Sequence, residues 1–209
     1  IDLYQLIISS WHSYRVRPWV IYGPIGTKKF VSKIMNAWKD ERKQRIKYES
    51  RSSTNAFKTI IREFKSTGSL KIKDLRVKYF EVDHKPVKYS YGFNFYSQNK
   101  KLTISGDTRP CENLIKYAQE ADVLLHEVFI DGEFKQTNKM RTKKTLHNVR
   151  DYHTPSTILG KIAKLTKCKR LVLTHLVPTK FNEKKLIKTI KSDFGKKPIV
   201  GKDLLKIRI

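Results

Sequence analysis

The sequence predicts an α/β domain organised around one sheet edge, and three observations carry that prediction. Residues 102–104 and 123–125 are short apolar runs that suit buried strands, separated by a helical segment at about 112–119. Each run ends in polar residues: Asp107 lies just past Ser105 and Gly106, and His126 and Glu127 follow Leu125 directly. Strand-like and helix-like segments continue on both sides of this stretch. Neighbouring strand ends that carry an acid and a His-Glu pair point to the edge where α/β folds collect ligands.

The 209 residues suit one domain spanning residues 1–209, with residues 40–71 as an insertion or a cover over the site. A hydrophobic share of 39% with 11% aromatics is enough for one core. No apolar run approaches the roughly 20 residues needed to cross a bilayer. Cys111 and Cys168 form neither a metal-type pair nor a disulfide framework, so the chain reads as cytoplasmic and thiol-reduced. The first residue is Ile1 and no targeting signal follows it, which suggests processing or a fragment. A formal charge of +26 favours a polyanionic partner, nucleic acid first. The cations are spread along the chain, so a purely compositional origin stays open.

Taken in order, residues 1–16 read as an amphipathic helix with Leu3, Leu6, Ile7 and Trp11 on one face and His12 at or near the surface. Residues 19–22 form a short strand, and a glycine turn at 23–27 leads into a helix at about 28–38 capped by Thr27. A glycine turn before a helix can bind phosphate, but the Gly-Lys-Ser/Thr ending of a P-loop is absent. Residues 40–71 carry helical hints at 56–64 and no chemical signature. Alternation at 75–82 and 89–95, with a turn at Gln98-Asn99, gives successive strands of an antiparallel or mixed sheet. His84 falls at one of their ends. The polar stretch 131–151 reads as an irregular loop. Thr154 is placed to cap a helix starting at Pro155, with Ile158, Leu159, Ile162 and Leu165 on its buried face. Residues 171–173 form a strand ending in Thr174-His175, followed by a helix at about 183–194 and a last strand at 204–209.

The polar residues at strand ends and helix starts are His84, Asp107, His126, Glu127, His153 and His175, which include four of the six histidines. Neutral imidazoles with a carboxylate are a ligand set that suits zinc. An aspartate between two histidines can bridge two cations about 3.5–4 Å apart.

The order Asp83-His84-Lys85-Pro86-Val87, Ser105-Gly106-Asp107-Thr108-Arg109-Pro110, Ala121 through Val128, His153-Thr154-Pro155 and Leu171 through Leu176 resembles the metallo-β-lactamase fold hydrolases. It is most similar to the branch holding ribonuclease Z and arylsulfatase-like enzymes, over nearly the whole chain. The resemblance implies an αββα sandwich and two divalent metal ions, zinc by preference. In it His84 ligates one ion, His175 the other, and Asp107 bridges them. His153 would stand beside the scissile bond as the catalytic acid with Glu127 orienting it, while His126 supports the loop. The implied reaction is attack by a metal-bridging hydroxide on a phosphodiester, as in ribonuclease Z, or on a sulfate or phosphate ester, as in the arylsulfatase-like enzymes.

Two departures from the family pattern stand out. The His-x-His-x-Asp-His motif, which carries most of the family's metal ligands, is absent; in relatives it lies just upstream of a helix like the first one here. The expectation is therefore an N-terminally truncated fold, inactive and weak in zinc as given, with the full-length parent an enzyme. The interval from His84 to Asp107 also has room for a hairpin and no tRNA-gripping arm, which leaves both substrate classes open. The expected partners are an ester substrate, tRNA or another nucleic acid among the candidates, with no membrane and a homodimer allowed. The rival is a non-catalytic basic nucleic-acid-binding homologue.

Overall fold

Two strands run side by side in the N-terminal part of the chain because the sequence supplies β-branched residues on both. The computed structural model describes residues 2–135 and 141–209 and divides into two compact units, Ile1–Lys65 and Ser66–Ile209. In the first unit, β1 (Trp19–Pro24) pairs in parallel with β2 (Thr59–Phe64). The crossover between them holds α2 (Thr27–Ala37), α3 (Lys39–Glu49) and a 3-10 turn at Asn55–Phe57. The helical hints at 56–64 are thus overturned: Thr59, Ile60 and Ile61 join a ladder, and tertiary pairing outweighs local propensity. The stretch from 40 to 71 is made of these elements and β3 (Gly68–Ile72).

Helix α1 (Leu3–His12) buries Tyr4, Ile7, Ile8 and Trp11, a stripe at i, i+3, i+4 and i+7. Leu6, expected on that face, is exposed, because Tyr4 rotates the stripe by stacking on Trp38 with ring centroids 4.8 Å apart. His12 sits 3.3 Å from Glu49, a half-exposed structural contact. The glycine turn also differs from expectation. Gly26, at φ +98°, precedes the helix, and the Thr27 hydroxyl donates to the Pro24 carbonyl at 2.6 Å instead of capping. The Glu63 carboxylate accepts from the Gly26 and Lys28 N–H groups at 2.9 and 2.8 Å. The donors that could hold a phosphate at this turn already hold the chain's own acid.

The second unit is a seven-stranded sheet in the order β3-β4-β5-β6-β7-β8-β9. Strands β3, β4 (Leu75–His84), β5 (Val87–Ser97) and β6 (Lys100–Ile104) are antiparallel, and Gln98 and Asn99 turn the β5–β6 hairpin with φ near +48° and +58°. From β6 onward the sheet is parallel through β7 (Val123–Phe129), β8 (Arg170–Val177) and β9 (Ile199–Val200). Two antiparallel steps return β4 to the direction of β6. The C-terminal ends of β4, β6, β7 and β8 therefore share one edge, the edge read from the sequence.

Helices α4 (Glu112–Tyr117), α5 (Lys143–Asp151), α6 (Ser156–Leu165) and α7 (Glu183–Phe194) connect the later strands. Leu124, Val128, Leu171 and Leu173 of the sheet pack with Leu159 and Ala163 of α6 and Leu186 and Ile190 of α7. On α6 the buried face is Leu159, Ile162 and Ala163, while Ile158 and Leu165 are exposed. Helix α5 lies inside the stretch expected to be irregular; Thr142 and Thr145 cap it reciprocally, a box built from two threonines in place of the Thr–Glu signature. Residues 136–140 of that stretch lie outside the described residues. The strand expected at 204–209 is replaced by β9, which takes the position beside β8 earlier, leaving Leu204 fully exposed.

Candidate metal centre

Each strand end delivers its polar side chain through a local device. At β4 the ladder with β5 shifts between Val82 and His84: Asp83 lies opposite two residues of β5, Lys88 and Tyr89, so the extra residue is on β5 and the end of β4 is bent where it presents His84. At β8 the ladder slips again: Glu127 pairs with Thr174 and Val128 with Leu176, leaving His175 as the bulged residue at φ +42°. A non-glycine residue in that region is strained, and such strain gathers where a side chain must be aimed. Past β6, Gly106 takes φ +63°, and a Cβ there would lie 2.4 Å from the Tyr91 carbonyl oxygen. Only glycine lets the chain turn this closely and present Asp107.

The edge gathers these groups. Asp107 Oδ2 lies 3.6 Å from His175 Nε2, both about half exposed. The His153 ring stands between His84 and His175, with centroids 5.2 and 5.4 Å away. His84 Nδ1–H donates to the Tyr152 carbonyl at 2.7 Å, which leaves the Nε2 lone pair free to act as a ligand. The carbonyl has no proton to give, so this bond fixes the tautomer.

Glu127 is fully buried, and Oε1 accepts from the Thr154 N–H at 2.8 Å and the Thr108 N–H at 3.3 Å. Its other oxygen, Oε2, lies 3.2 Å from His153 Nδ1. That pair is close but misaligned for a hydrogen bond, and neither atom has another bonding partner. Pairs of this kind often tighten only when substrate arrives. The Thr154 hydroxyl donates to the Thr108 carbonyl at 2.7 Å, so it clips the His153 segment to the Asp107 loop and does not cap α6. These roles of Thr108 and Thr154 escaped the sequence, although both threonines follow the residues it singled out.

His126 is fully buried, and its Nδ1–H donates to the Glu127 carbonyl at 2.7 Å, beside the bulge that throws out His175. Burial pushes its pKa below the ordinary histidine range, against the opposing pull of the Glu127 charge and carbonyl.

The donor chemistry of His84, Asp107 and His175 fits a divalent cation. Their number does not complete a site: among the described residues, no group of three or more His, Cys, Asp or Glu side chains is arranged to hold one ion. Tight zinc sites use three or four protein ligands on one ion, more than these residues bring together.

Known proteins share this arrangement of strands. A putative ribonuclease Z of Mycobacterium tuberculosis (strain CDC 1551 / Oshkosh) is 25% identical over 213 aligned positions, covering 100% of this chain and 93% of its own. The metallo-β-lactamase fold protein YhfI of Bacillus subtilis superposes with a TM-score of 0.69 at 19% identity, covering 96% of this chain and 69% of its own. The short form of human tRNase Z superposes at 0.59 with 20% identity, over 94% of this chain and 70% of its own. The fold is therefore the metallo-β-lactamase fold. The family model described as anti-Pycsar protein Apyc1 matches residues 29–155, which run from α2 through Asp107, Glu127 and His153. On that match the chain belongs to the anti-Pycsar Apyc1 family, built on a metallo-β-lactamase fold.

Proposed function

We propose that this chain carries the proton-delivering half of a metal-dependent hydrolase site acting on a phosphodiester. The observation that carries the reading is His153 set between His84 and His175 with the buried Glu127 behind it. His84, Asp107 and His175 would contact divalent metal, which when bound supplies Lewis acidity and an acidified water. Glu127, held by two backbone N–H groups, keeps His153 Nδ1 turned inward. His153 Nε2 is then the atom that hands a proton to the leaving oxygen, a role that contributes about 10²–10⁴-fold. A phosphodiester is favoured over a sulfate ester by the ribonuclease Z relative and by the charge of +26. The two unpaired cysteines support a reducing, cytoplasmic setting.

The test is hydrolysis of bis(p-nitrophenyl) phosphate and p-nitrophenyl sulfate by the protein with added zinc or manganese, with and without chelator. Phosphodiester turnover abolished by chelator and by His153→Ala supports the reading. Sulfate turnover alone moves the substrate to the arylsulfatase-like class. Salt-sensitive nucleic-acid binding that ignores chelator, with no cation uptake and no turnover of either ester even at metal concentrations high enough to fill a weak site, overturns it in favour of the non-catalytic reading.

A further inference from the structure

Asp83, next to the last residue of β4, and Asp151, the last residue of α5, come from distant parts of the sequence, and one guanidinium meets both. Arg109 Nε donates to Asp83 Oδ2 at 2.9 Å, and its Nη1 lies 3.5 Å from Asp151 Oδ2. The Arg109 backbone N–H donates to the Asp83 carbonyl at 2.8 Å as well. His84 follows Asp83, and Tyr152 follows Asp151. The Tyr152 carbonyl is the acceptor of the His84 Nδ1–H bond, and His153 comes next. The contacts close a ring: Arg109 to Asp83, along the chain to His84, across to Tyr152, and back through Asp151 to Arg109.

We infer that Arg109 is a positioning residue that clamps the end of β4 to the end of α5, and so fixes the His84 tautomer and its spacing from His153. This rests on the reading of His84 as a metal ligand and His153 as the proton donor. A planar guanidinium presents several N–H groups in a fixed fork and can engage two carboxylates at once; an ammonium is a point charge. Without the clamp, Asp83 and Asp151 are two carboxylates on adjacent segments with no cation between them. The segments would part, and the bond that holds His84 Nε2 as a lone pair would open. Asp107, two residues before Arg109, is anchored by the same contact, so one side chain ties three donor-bearing segments together.

The experiment reads the histidine rings directly, by long-range ¹H–¹⁵N NMR of the metal-free protein, comparing wild type with R109Q, R109K and D151N. His84 is expected as a pure Nδ1–H tautomer in wild type and as a mixture in R109Q, with His153 shifted in position. R109K keeps the Asp83 contact and loses Asp151, so it is expected to fall between the two. His126, fully buried and outside the ring, reports on the core and should not move. D151N removes an exposed partner and cannot be blamed on misfolding; it should loosen His84 in part. If R109Q perturbs His126 as well, D151N decides. An unchanged His84 signal in D151N and in folded R109Q overturns the clamp and leaves Arg109 a surface ion pair. Cobalt titration adds a second readout, with an expected loss of roughly tenfold in affinity, the low end for residues that orient a ligand. A wild type that binds no cation and cleaves no ester, yet shows His84 released in R109Q, would refute the hydrolase reading and leave the clamp standing.

Discussion

Glu127 Oε2 faces His153 Nδ1 at 3.2 Å while Glu127 Oε1 gathers two backbone N–H groups, so one buried side chain both aims a histidine and pins two loops. Substitution separates the two tasks. Glu127→Gln keeps an oxygen for Thr108 and Thr154 but offers His153 an amide or a misplaced acceptor. The fold should survive, with hydrolysis down about 10–100-fold, the usual cost of losing an orienting carboxylate. Glu127→Ala strands two buried N–H groups and should lose about 3 kcal/mol of stability. Thermal melting alongside ester hydrolysis distinguishes these outcomes, and equal melting losses in both variants would contradict the division of labour.

Gly106 is the second sensitive point. Its φ of +63° costs a side-chain-bearing residue about 1–2 kcal/mol, and a Cβ would press on a backbone oxygen that cannot rotate away. Gly106→Ala is expected to lose about 2–4 kcal/mol. At about 2–4 °C per kcal/mol for a chain of this size, calorimetry should show a drop of roughly 5–15 °C. A drop under 2 °C would mean the loop accepts the methyl group and the turn does not depend on glycine.

The shared edge was legible because strand ends are written plainly: a short apolar run, a breaker, then a polar residue at Asp107, at His126-Glu127 and at His175. What stayed hidden depends on contacts between distant segments. Thr154 looks like a helix cap when only its neighbours are considered, and the Thr108 carbonyl that claims its hydroxyl lies far back in the chain. Residues 59–64 look helical until β1 offers them a ladder. Helix α5 was missed because its cap is a pair of threonines, and its apolar face is only Leu146 and Val149, too small to stand out in so polar a stretch.

The pH dependence of stability follows from His126. Its folded-state pKa lies below the ordinary value of about 6.5 because the buried ring resists charging. Between the two values the unfolded chain binds a proton that the folded chain does not, so stability rises with pH across that window. The contribution is complete above about pH 6.5 and is lost as pH falls toward the folded pKa. The Glu127 charge acting on the ring opposes the shift without reversing it. Urea titrations between pH 5 and 7.5 should show the midpoint falling on acidification. His126→Gln, which cannot titrate, should flatten that slope while lowering stability at neutral pH. An equal slope in both proteins would assign the effect elsewhere.

His175 sits at φ +42° as the extra residue of a bulge, which makes it the position where aim and stability pull in opposite directions. A side chain in the left-handed region costs about 1–2 kcal/mol, and glycine escapes that cost while giving back about 0.5–1 kcal/mol in backbone entropy. His175→Gly is therefore expected to be neutral or up to about 1.5 kcal/mol more stable, whereas His175→Ala keeps the strain and gains nothing. Both should abolish cation binding through the Asp107–His175 pair, already weak because these two donors fall short of the three or four that hold zinc tightly. Zinc calorimetry on the wild-type chain should accordingly show no tight stoichiometric uptake of two ions. A His175→Gly protein that melts lower than His175→Ala would show that the bulge is relaxed, and that its geometry reflects packing of β8 against β7 with no tension held for the imidazole.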